Sequence, residues 1–381
     1  MIMKSILRML IGFSTLLLTT SCWMLPDSNG DYLIHRAVRT QDFAEVKKLV
    51  EENWRLVCQV NDRGTPPIFI ATETGNLGIF NYLEKHGADI FKTYHGRTLI
   101  NVAAYNGSYD IVKYLLDKGI STAKIDTFGD TPLFRAVEGD KIKVAKLLLR
   151  QGAKVNTECS SGQYPIHEVR SPEMVDLLIK HGADPNQHTG KTFGSFSKKT
   201  PLHYARGKGT AKALIKAGGK LEAKDINGNT PLMRKISMAS WSRQNVDDIN
   251  ELIDLGADVK TRNNENQTPL HYATQAGVDK IIKKLIEKGA NPDAISNYNM
   301  TPLHGAAAKG RTLCVKALLE KGANPNILTT GQRPATALDI AEMYNYQYII
   351  KLLKKYGGLR GVAVSQSKNP SALKKVKKQE N

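Results

Sequence analysis

The heptapeptide Gln267-Thr268-Pro269-Leu270-His271-Tyr272-Ala273 decides the fold, because versions of it recur along the chain. Met300-Thr301-Pro302-Leu303-His304-Gly305-Ala306 follows it at a spacing of 33 residues. Threonine is a good helix N-cap, and proline at the first helical position loses no hydrogen bond, so each copy predicts a helix start. A short unit that returns at a fixed spacing predicts stacked repeats rather than separate globular domains.

The recurrence covers nearly the whole chain, with a period near 33 residues. A glycine about 21 residues after the threonine position predicts the end of a second helix, with Asn53 in that place in the first unit. Apolar residues at helical spacing, as in 111–116, give each second helix a stripe that must be covered, so the units are expected to stack. Ten units result, and their threonine positions are Tyr32, Thr65, Thr98, Thr131, Tyr164, Thr200, Thr230, Thr268, Thr301 and Thr336.

The pattern resembles the ankyrin repeat. Residues 225–232 match the start of that repeat, the two heptapeptides match its centre, and residues 319–324 match its end. The resemblance covers residues 31–358 and implies a mainly α-helical solenoid of helix-turn-helix units with β-hairpin or loop fingers. It also implies a non-enzymatic scaffold that binds a protein through its concave face, which the finger tips and first helices form.

Candidate partner-binding residues lie at the corresponding finger tips and at the ends of first helices. Exposed aromatic and arginine side chains at such places are typical anchors for a protein partner. The alternative, that each side chain packs between fingers, remains open. The candidates are Tyr94, His95, Arg97, Tyr105, Asn106, Phe128, Tyr298, Met300 and Lys309.

Departures from the period predict an irregular stretch at residues 160–260. Repeats five and six measure 18 residues from the threonine position to the glycine, and repeat seven measures 26. Pro172 predicts a broken first helix in repeat five, followed by a new start. The connection at 188–199 is six residues longer than the others and contains Phe193 and Phe196, which either fill a gap beside the short repeats or anchor an acidic partner.

The N-terminus follows a secretory pattern. Lys4 and Arg8 precede an apolar run at 9–18, which is too short to span a bilayer, so residues 1–21 are expected to be a signal peptide. Residues 17–22 resemble the lipobox of bacterial lipoproteins, although Thr19 stands where that family usually has leucine. The resemblance implies a lipid on Cys22 and a lipidated linker at 22–30, whereas the alternative is an ordinary signal peptide with a chance cysteine.

Location and partners follow from these features. The expected product is a membrane-anchored lipoprotein on the periplasmic or cell-surface side, and Trp23, where aspartate would signal inner-membrane retention, favours the outer membrane. The partner is expected to be a protein of unknown identity, and the alternative is a secreted effector that acts on host-cell proteins. The net charge of +18 favours anionic partners, unless the lysines simply keep the repeats soluble. Residues 359–381 form a basic tail that is expected to be disordered; the alternative is a tail that touches anionic lipid or nucleic acid. Nucleic acid is not the expected partner, since lysines without interleaved aromatic residues give electrostatic contact but no base stacking.

No catalytic, metal or cofactor site is expected. The four cysteines form no CxxC pair, and Cys314 is expected to be a small buried hydrophobic residue. The sequence has no P-loop, G-x-S-x-G, H-E-x-x-H or dinucleotide fingerprint. Five histidines share one place in the repeat, so they are expected to tie neighbouring units together by hydrogen bonds: His35, His167, His203, His271 and His304.

Overall fold

The computed structural model describes residues 26–28, 30–192, 195–239, 245–297, 299–330 and 333–367. The chain divides into two compact units. The first unit extends as far as Glu168 and includes Lys180–Ala183. The second unit contains Val169–Ile179 and continues from Asp184. Residues 1–21 and Cys22 lie outside the described residues.

The described part of the first unit consists of paired helices, one hairpin and two short 3-10 helices, at Trp54–Cys58 and Pro165–Glu168. The other elements are α1 (Leu33–Arg39), α2 (Phe43–Glu52), α3 (Pro67–Thr74), α4 (Leu77–Lys85), β1 (Thr93–Tyr94), β2 (Arg97–Thr98), α5 (Leu99–Asn106), α6 (Tyr109–Asp117), α7 (Pro132–Glu138) and α8 (Ile142–Arg150).

The described part of the second unit has the same helix-turn-helix design with a second hairpin. Its elements are α9 (Pro172–Lys180), β3 (Lys191–Thr192), β4 (Ser195–Phe196), α10 (Pro201–Tyr204), α11 (Thr210–Lys216), α12 (Pro231–Met238), α13 (Asn245–Asp254), α14 (Pro269–Ala276), α15 (Asp279–Glu287), α16 (Pro302–Ala308), α17 (Thr312–Glu320), α18 (Ala337–Met343), α19 (Gln347–Lys355) and α20 (Gly361–Ser367).

First helices stack on first helices, and second helices stack on second helices. In the first unit α5 packs on α7 and α4 on α6, and in the second unit α14 packs on α16 and α15 on α17. Small side chains permit this close approach, since Ala103, Ala136, Ala273 and Ala306 are all fully buried. The structure is therefore a mainly α-helical ankyrin-repeat solenoid of helix-turn-helix units, as the sequence predicted.

Threonine caps begin most first helices. The Thr131 side chain accepts from the backbone N–H of Phe134 at 3.2 Å, and Thr301 caps α16 in the same way. The position assigned to Thr65 was wrong by one residue, because Pro66 is the N-cap of α3 and the Thr65 hydroxyl bonds His95 Nε2 at 3.1 Å. Asn53 was also wrong as a left-handed helix end, since its φ of −152° is extended and its side chain caps the following 3-10 helix.

The first hairpin has a two-residue loop between paired Tyr94 and Arg97. Its loop residues, His95 and Gly96, have φ values of 53° and 75°, so both central residues are left-handed. Such a turn matches the right-handed twist of the strands and places Tyr94 and Arg97 side by side. The enlarged connection at 188–199 also forms a hairpin, in which Lys191 pairs with Phe196.

Two repeats lack a full first helix. In repeat five the 3-10 helix Pro165–Glu168 takes its place, and α9 starts afresh at Pro172. In repeat six α10 is a single turn, which leaves helix-end carbonyl groups to be satisfied. The buried Lys235 supplies the donor, since its Nζ donates to the carbonyl oxygens of Tyr204 and Ala205, and Asp248 lies 3.6 Å from it.

The start of the C-terminal tail is ordered, which corrects the expectation of disorder from residue 359. Helix α20 buries Val364, and its Gly361 N–H donates to Asp339 Oδ2 at 2.7 Å. Asp339 occupies the place that histidine holds in repeats eight and nine. A carboxylate fits there because the next element offers a helix N-terminus, which has N–H donors, rather than a carbonyl oxygen. Residues 368–381 lie outside the described residues.

Candidate protein-binding surface

The shared histidines are structural links between successive repeats. In His271, Nδ1 accepts from the Thr268 backbone N–H at 3.1 Å, so Nε2 carries the proton and donates to the Met300 carbonyl oxygen at 3.0 Å. His203 and His304 make the same pair of contacts with their own neighbours. The prediction for these three side chains is confirmed.

Burial keeps these imidazoles neutral. It lowers the pKa of His203 and of His271 to about 4, and it lowers the pKa of His304 in the same direction. Both ring nitrogens are engaged, so these side chains are not available to substrates or metals. Among the described residues, no group of three or more histidine, cysteine or acidic side chains could hold a metal ion.

The inner face, meaning the fingers and first helices, carries the candidate binding residues. In the first unit, two of them pack against a first helix: the rings of Tyr94 and His95 meet Phe69 of α3 edge-on, at centroid distances of 6.2 and 6.0 Å. Tyr94 is half-buried, and His95 also bonds Thr65. Both side chains therefore help to hold the finger in place. The contact with Phe69 also leaves less of the Tyr94 ring exposed to a partner.

Four other candidates in the first unit are exposed: Arg97, Tyr105, Asn106 and Phe128. The side chain of Tyr105 is 39% exposed and that of Phe128 is 51% exposed. Arg97 forms no ion pair within the described part of the chain. The Asn106 amide turns back to donate to the Val102 carbonyl oxygen at 3.0 Å. Arg97, Tyr105 and Phe128 therefore present a cationic and aromatic surface on repeats three and four.

One arginine, Arg135, and three carboxylates lie together behind Phe128, and we call this group the arginine cluster. Arg135 Nη2 lies 2.7 Å from Asp130 Oδ2 and 3.1 Å from Asp126 Oδ2, and Nη1 lies 2.8 Å from Glu138 Oε2. Burial is the main cause that raises the pKa of Asp130 to about 6, and the neighbouring Asp126 and Glu138 carboxylates raise it further, whereas the Arg135 guanidinium opposes the shift. The Arg135 guanidinium also lies 5.7 Å from the centre of the Phe128 ring, which holds that ring at the finger tip.

In the second unit the candidates divide into described and undescribed residues. Lys309 is exposed, and Met300 is half-buried with its carbonyl oxygen bound to His271. Phe196 lies on β4, and its finger joins the next one through the Ile226 N–H, which donates to the Ser197 carbonyl oxygen at 3.2 Å. Phe193 and Tyr298 lie outside the described residues.

Sequence reasoning missed two exposed inner-face residues in repeat ten. Met343 is 69% exposed and Tyr344 is 51% exposed. They end α18, in the places that Tyr105 and Asn106 hold at the end of α5. The signal was available, because the same offset from the threonine position marks these places in both repeats.

Three of the four cysteines lie among the described residues, and none of the three forms a disulfide there. Cys58, Cys159 and Cys314 are free thiols, and burial raises the pKa of Cys314 to about 12. Cys314 is therefore the inert buried residue that was predicted. Within the described ranges, no helix is long and apolar enough to cross a membrane.

Comparison with known proteins agrees with this architecture. A family model described as ankyrin repeats (3 copies) matches residues 91–159 and 236–329. An ankyrin repeat protein of Rickettsia felis is 31% identical over 32% of this chain and 60% of its own length. Inversin of Canis lupus familiaris is 30% identical over 52% of this chain and 19% of its own length. The E3 ubiquitin-protein ligase KEG of Arabidopsis thaliana is 24% identical over 67% of this chain, which spans 16% of that protein.

Stacked helix pairs with an exposed inner face define a protein-protein interaction scaffold. The chain is an ankyrin-repeat protein.

Proposed function

We propose that this chain is an exported, lipid-anchored scaffold without enzymatic activity, which binds a protein partner through the inner face of its first unit. The observation that carries the proposal is the exposure of Arg97, Tyr105 and Phe128 on neighbouring repeats of a rigid stack. Large aromatic and arginine side chains supply most of the binding energy at protein interfaces.

Rigidity favours this surface as a binding site. Phe128 rests against the arginine cluster, and the finger that carries Arg97 is a tight hairpin with a fixed register. Side chains that are already held in place lose little conformational entropy when a partner binds. A partner that covers these three residues would bury aromatic surface and neutralise the Arg97 guanidinium, which forms no ion pair with the described residues.

A paired substitution tests the binding surface. The partner is first identified as the protein that cross-links to the wild-type chain in its own cells. We expect Tyr105→Ala with Phe128→Ala to abolish capture of that protein. Thermal unfolding should change little, because both side chains are exposed. The matched control is Tyr109→Ala with Ile125→Ala, since these side chains are 39% and 53% exposed but were not assigned to the binding surface. Equal capture by both double variants would contradict the proposal.

The anchor is proposed from the N-terminal sequence alone. Lys4 and Arg8, the apolar run at 9–18 and the small residues before Cys22 fit export followed by lipid attachment. We expect a fatty-acid analogue to label the wild-type chain in its own cells and to be lost in Cys22→Ala. Mass spectrometry that finds an unmodified Cys22 or an intact Met1 would remove the anchor, and an unlipidated mature chain in the medium would favour the secreted effector instead.

A further inference from the structure

A pocket of about 200 Å³ opens on the inner face of the second unit, between the fingers and first helices of repeats eight and nine. We call it the Gly305 pocket, because that glycine forms part of its wall. Its lining also includes Glu265, Gln267, His271, Gln275 and Met300. A cavity of about 150 Å³ inside a protein holds a benzene molecule, so this pocket has room for one large side chain.

The pocket exists because repeat nine has no side chain at one position of its first helix. Four residues after the helix cap, repeat four has Arg135, repeat seven has Arg234, repeat eight has Tyr272, and repeat nine has Gly305. The backbone does not require glycine there, since Gly305 lies within helix α16 and an added Cβ would meet only Thr274 Oγ1, at 3.5 Å. Helix stability does not favour glycine there either, because glycine is a poor helix former. What this glycine does provide is open space.

Repeat four shows what the corresponding position can hold. Arg135 extends from α7 to its own finger and binds the carboxylates of Asp126 and Asp130. Repeat nine keeps the helix and the finger but has no arginine at this position. The structure therefore contains one occupied and one open version of the same position.

The lining of the Gly305 pocket offers hydrogen-bond acceptors and no cation. Glu265 is exposed and forms no ion pair within the described residues, and the Gln275 amide forms no hydrogen bond there. Met300 supplies a polarizable thioether wall. His271 is neutral, since its Nδ1 accepts from Thr268 and its Nε2 donates to Met300, so it does not repel a positive charge.

We propose that the Gly305 pocket binds a cationic side chain, arginine or lysine, of the protein partner. The aliphatic stem packs against Met300 and Gly305, and the charged head reaches Glu265, with the Gln275 amide oxygen as a further acceptor. The Gln267 amide oxygen already accepts from Asn263 Nδ2 at 3.3 Å. This inference rests on the proposed binding of a protein by the inner face. It adds the chemistry of one contact and places it in the second unit.

Blocked amino acids test the pocket without knowledge of the partner. The full chain, labelled with ¹³C at its methionine methyl groups, is titrated with N-acetyl-arginine methylamide, and Met300→Leu identifies the Met300 resonance. We expect a saturable shift of that resonance with a roughly millimolar midpoint, because a single residue forms few contacts. N-acetyl-norleucine methylamide has a similar stem without a charge, and we expect it to bind at least tenfold more weakly.

Variants of the pocket provide matched controls. Gly305→Arg places the chain's own guanidinium in the space and should abolish the shift, whereas Gly305→Ala leaves most of the space and should retain it. An added Cβ meets no close contact at this position and the pocket opens beyond it, so we expect both variants to fold. Glu265→Gln keeps the shape and removes the charge, and it should weaken arginine binding several-fold.

Two results would overturn the proposal. If norleucine methylamide shifts Met300 as strongly as the arginine compound does, the pocket takes apolar side chains. If neither compound shifts it, the pocket takes no side chain of this kind. The proposed function fails separately, because it depends on partner capture by Tyr105 and Phe128 in the first unit.

Discussion

Repeat four and repeat nine use one position of the first helix, the fourth residue after the helix cap, in different ways. In repeat four, Arg135 occupies it and ties three carboxylates together, whereas in repeat nine Gly305 leaves a pocket of about 200 Å³. The two first helices that carry this position begin alike, since α7 and α16 both start with Pro-Leu after a threonine cap. The same position therefore supports the repeat in one case, where Arg135 joins helix and finger, and in the other is left open for the partner side chain that we propose.

The largest expected effect comes from emptying the occupied position. Arg135→Met should destabilise the first unit by about 3–5 kcal/mol, because it leaves buried carboxylates without their cation. Denaturant unfolding measures the loss. Arg150→Met, on the exposed side of α8, is the control and should change stability by less than about 0.5 kcal/mol. Similar midpoints for both variants would mean that the arginine cluster does not support the repeat.

Acid should also distinguish the two regions, because repeats eight and nine depend on neutral histidines where repeat four has Phe134. The folded-state pKa of His271 is about 4, below the ordinary value of 6.5, so the unfolded chain binds more protons between these pH values. The histidine contribution is complete above pH 6.5 and is lost as the pH falls towards 4. For His271 the expected loss is on the order of 1–3 kcal/mol. His304 should respond with the same sign, because its pKa is also lowered by burial.

Asp130 in repeat four should respond with the opposite sign. Its folded-state pKa is raised from 3.8 to about 6, so its contribution is complete below 3.8 and is lost as the pH rises through 6. Hydrogen exchange measured residue by residue at pH 4.5 and pH 7 checks both signs. Acid weakening of repeat four equal to that of repeats eight and nine would contradict the assignment, and His271→Leu is the control that should remove part of the acid response.

Left-handed glycines should resist substitution. Gly119 ends a second helix with a φ of 86° and has open space around its Cβ position, so only backbone strain opposes a side chain there. Gly119→Val should destabilise the chain by on the order of 1 kcal/mol or more, and Gly289→Val, with a φ of 94°, should do the same. Unchanged denaturant midpoints for both would contradict the strain.

The smallest effect should be a gain in stability. Gly305→Ala adds a methyl group to a helical position without a close contact, and it should stabilise the second unit by about 0.5–1 kcal/mol. Thermal unfolding compares it with Gly119→Ala, which should have the opposite sign. Destabilisation by Gly305→Ala would show that packing requires glycine and that the pocket is a consequence of that requirement.

Local chemistry made much of the fold predictable. Thr301-Pro302 predicts a capped helix, and the apolar stripe of each second helix predicts stacking, because both signals act within one repeat. Where two prolines adjoin, at Pro66 and Pro67, the same signal gave a helix start one residue too early.

Other features depend on contacts that the repeat pattern does not contain. Lys235 satisfies carbonyl groups of the preceding repeat, and Asp339 accepts from a helix that follows the last repeat. The Gly305 pocket was hidden for a similar reason: in the sequence the glycine indicates only a small residue in a helix, and the space appears once two fingers and two helices surround it. The exposed side chains at 105 and 128 followed from the ankyrin pattern, whereas the packing of Tyr94 on Phe69 did not.

Photo-cross-linking in the cells that make the protein tests the central claim most directly. Benzoylphenylalanine replaces Tyr105, at the end of a first helix on the inner face, or Lys113, an exposed residue of second helix α6. The account predicts a discrete cross-linked protein at position 105 and none at position 113. Equal cross-linking at the two positions, or a product at position 113 alone, would contradict an inner-face binding site.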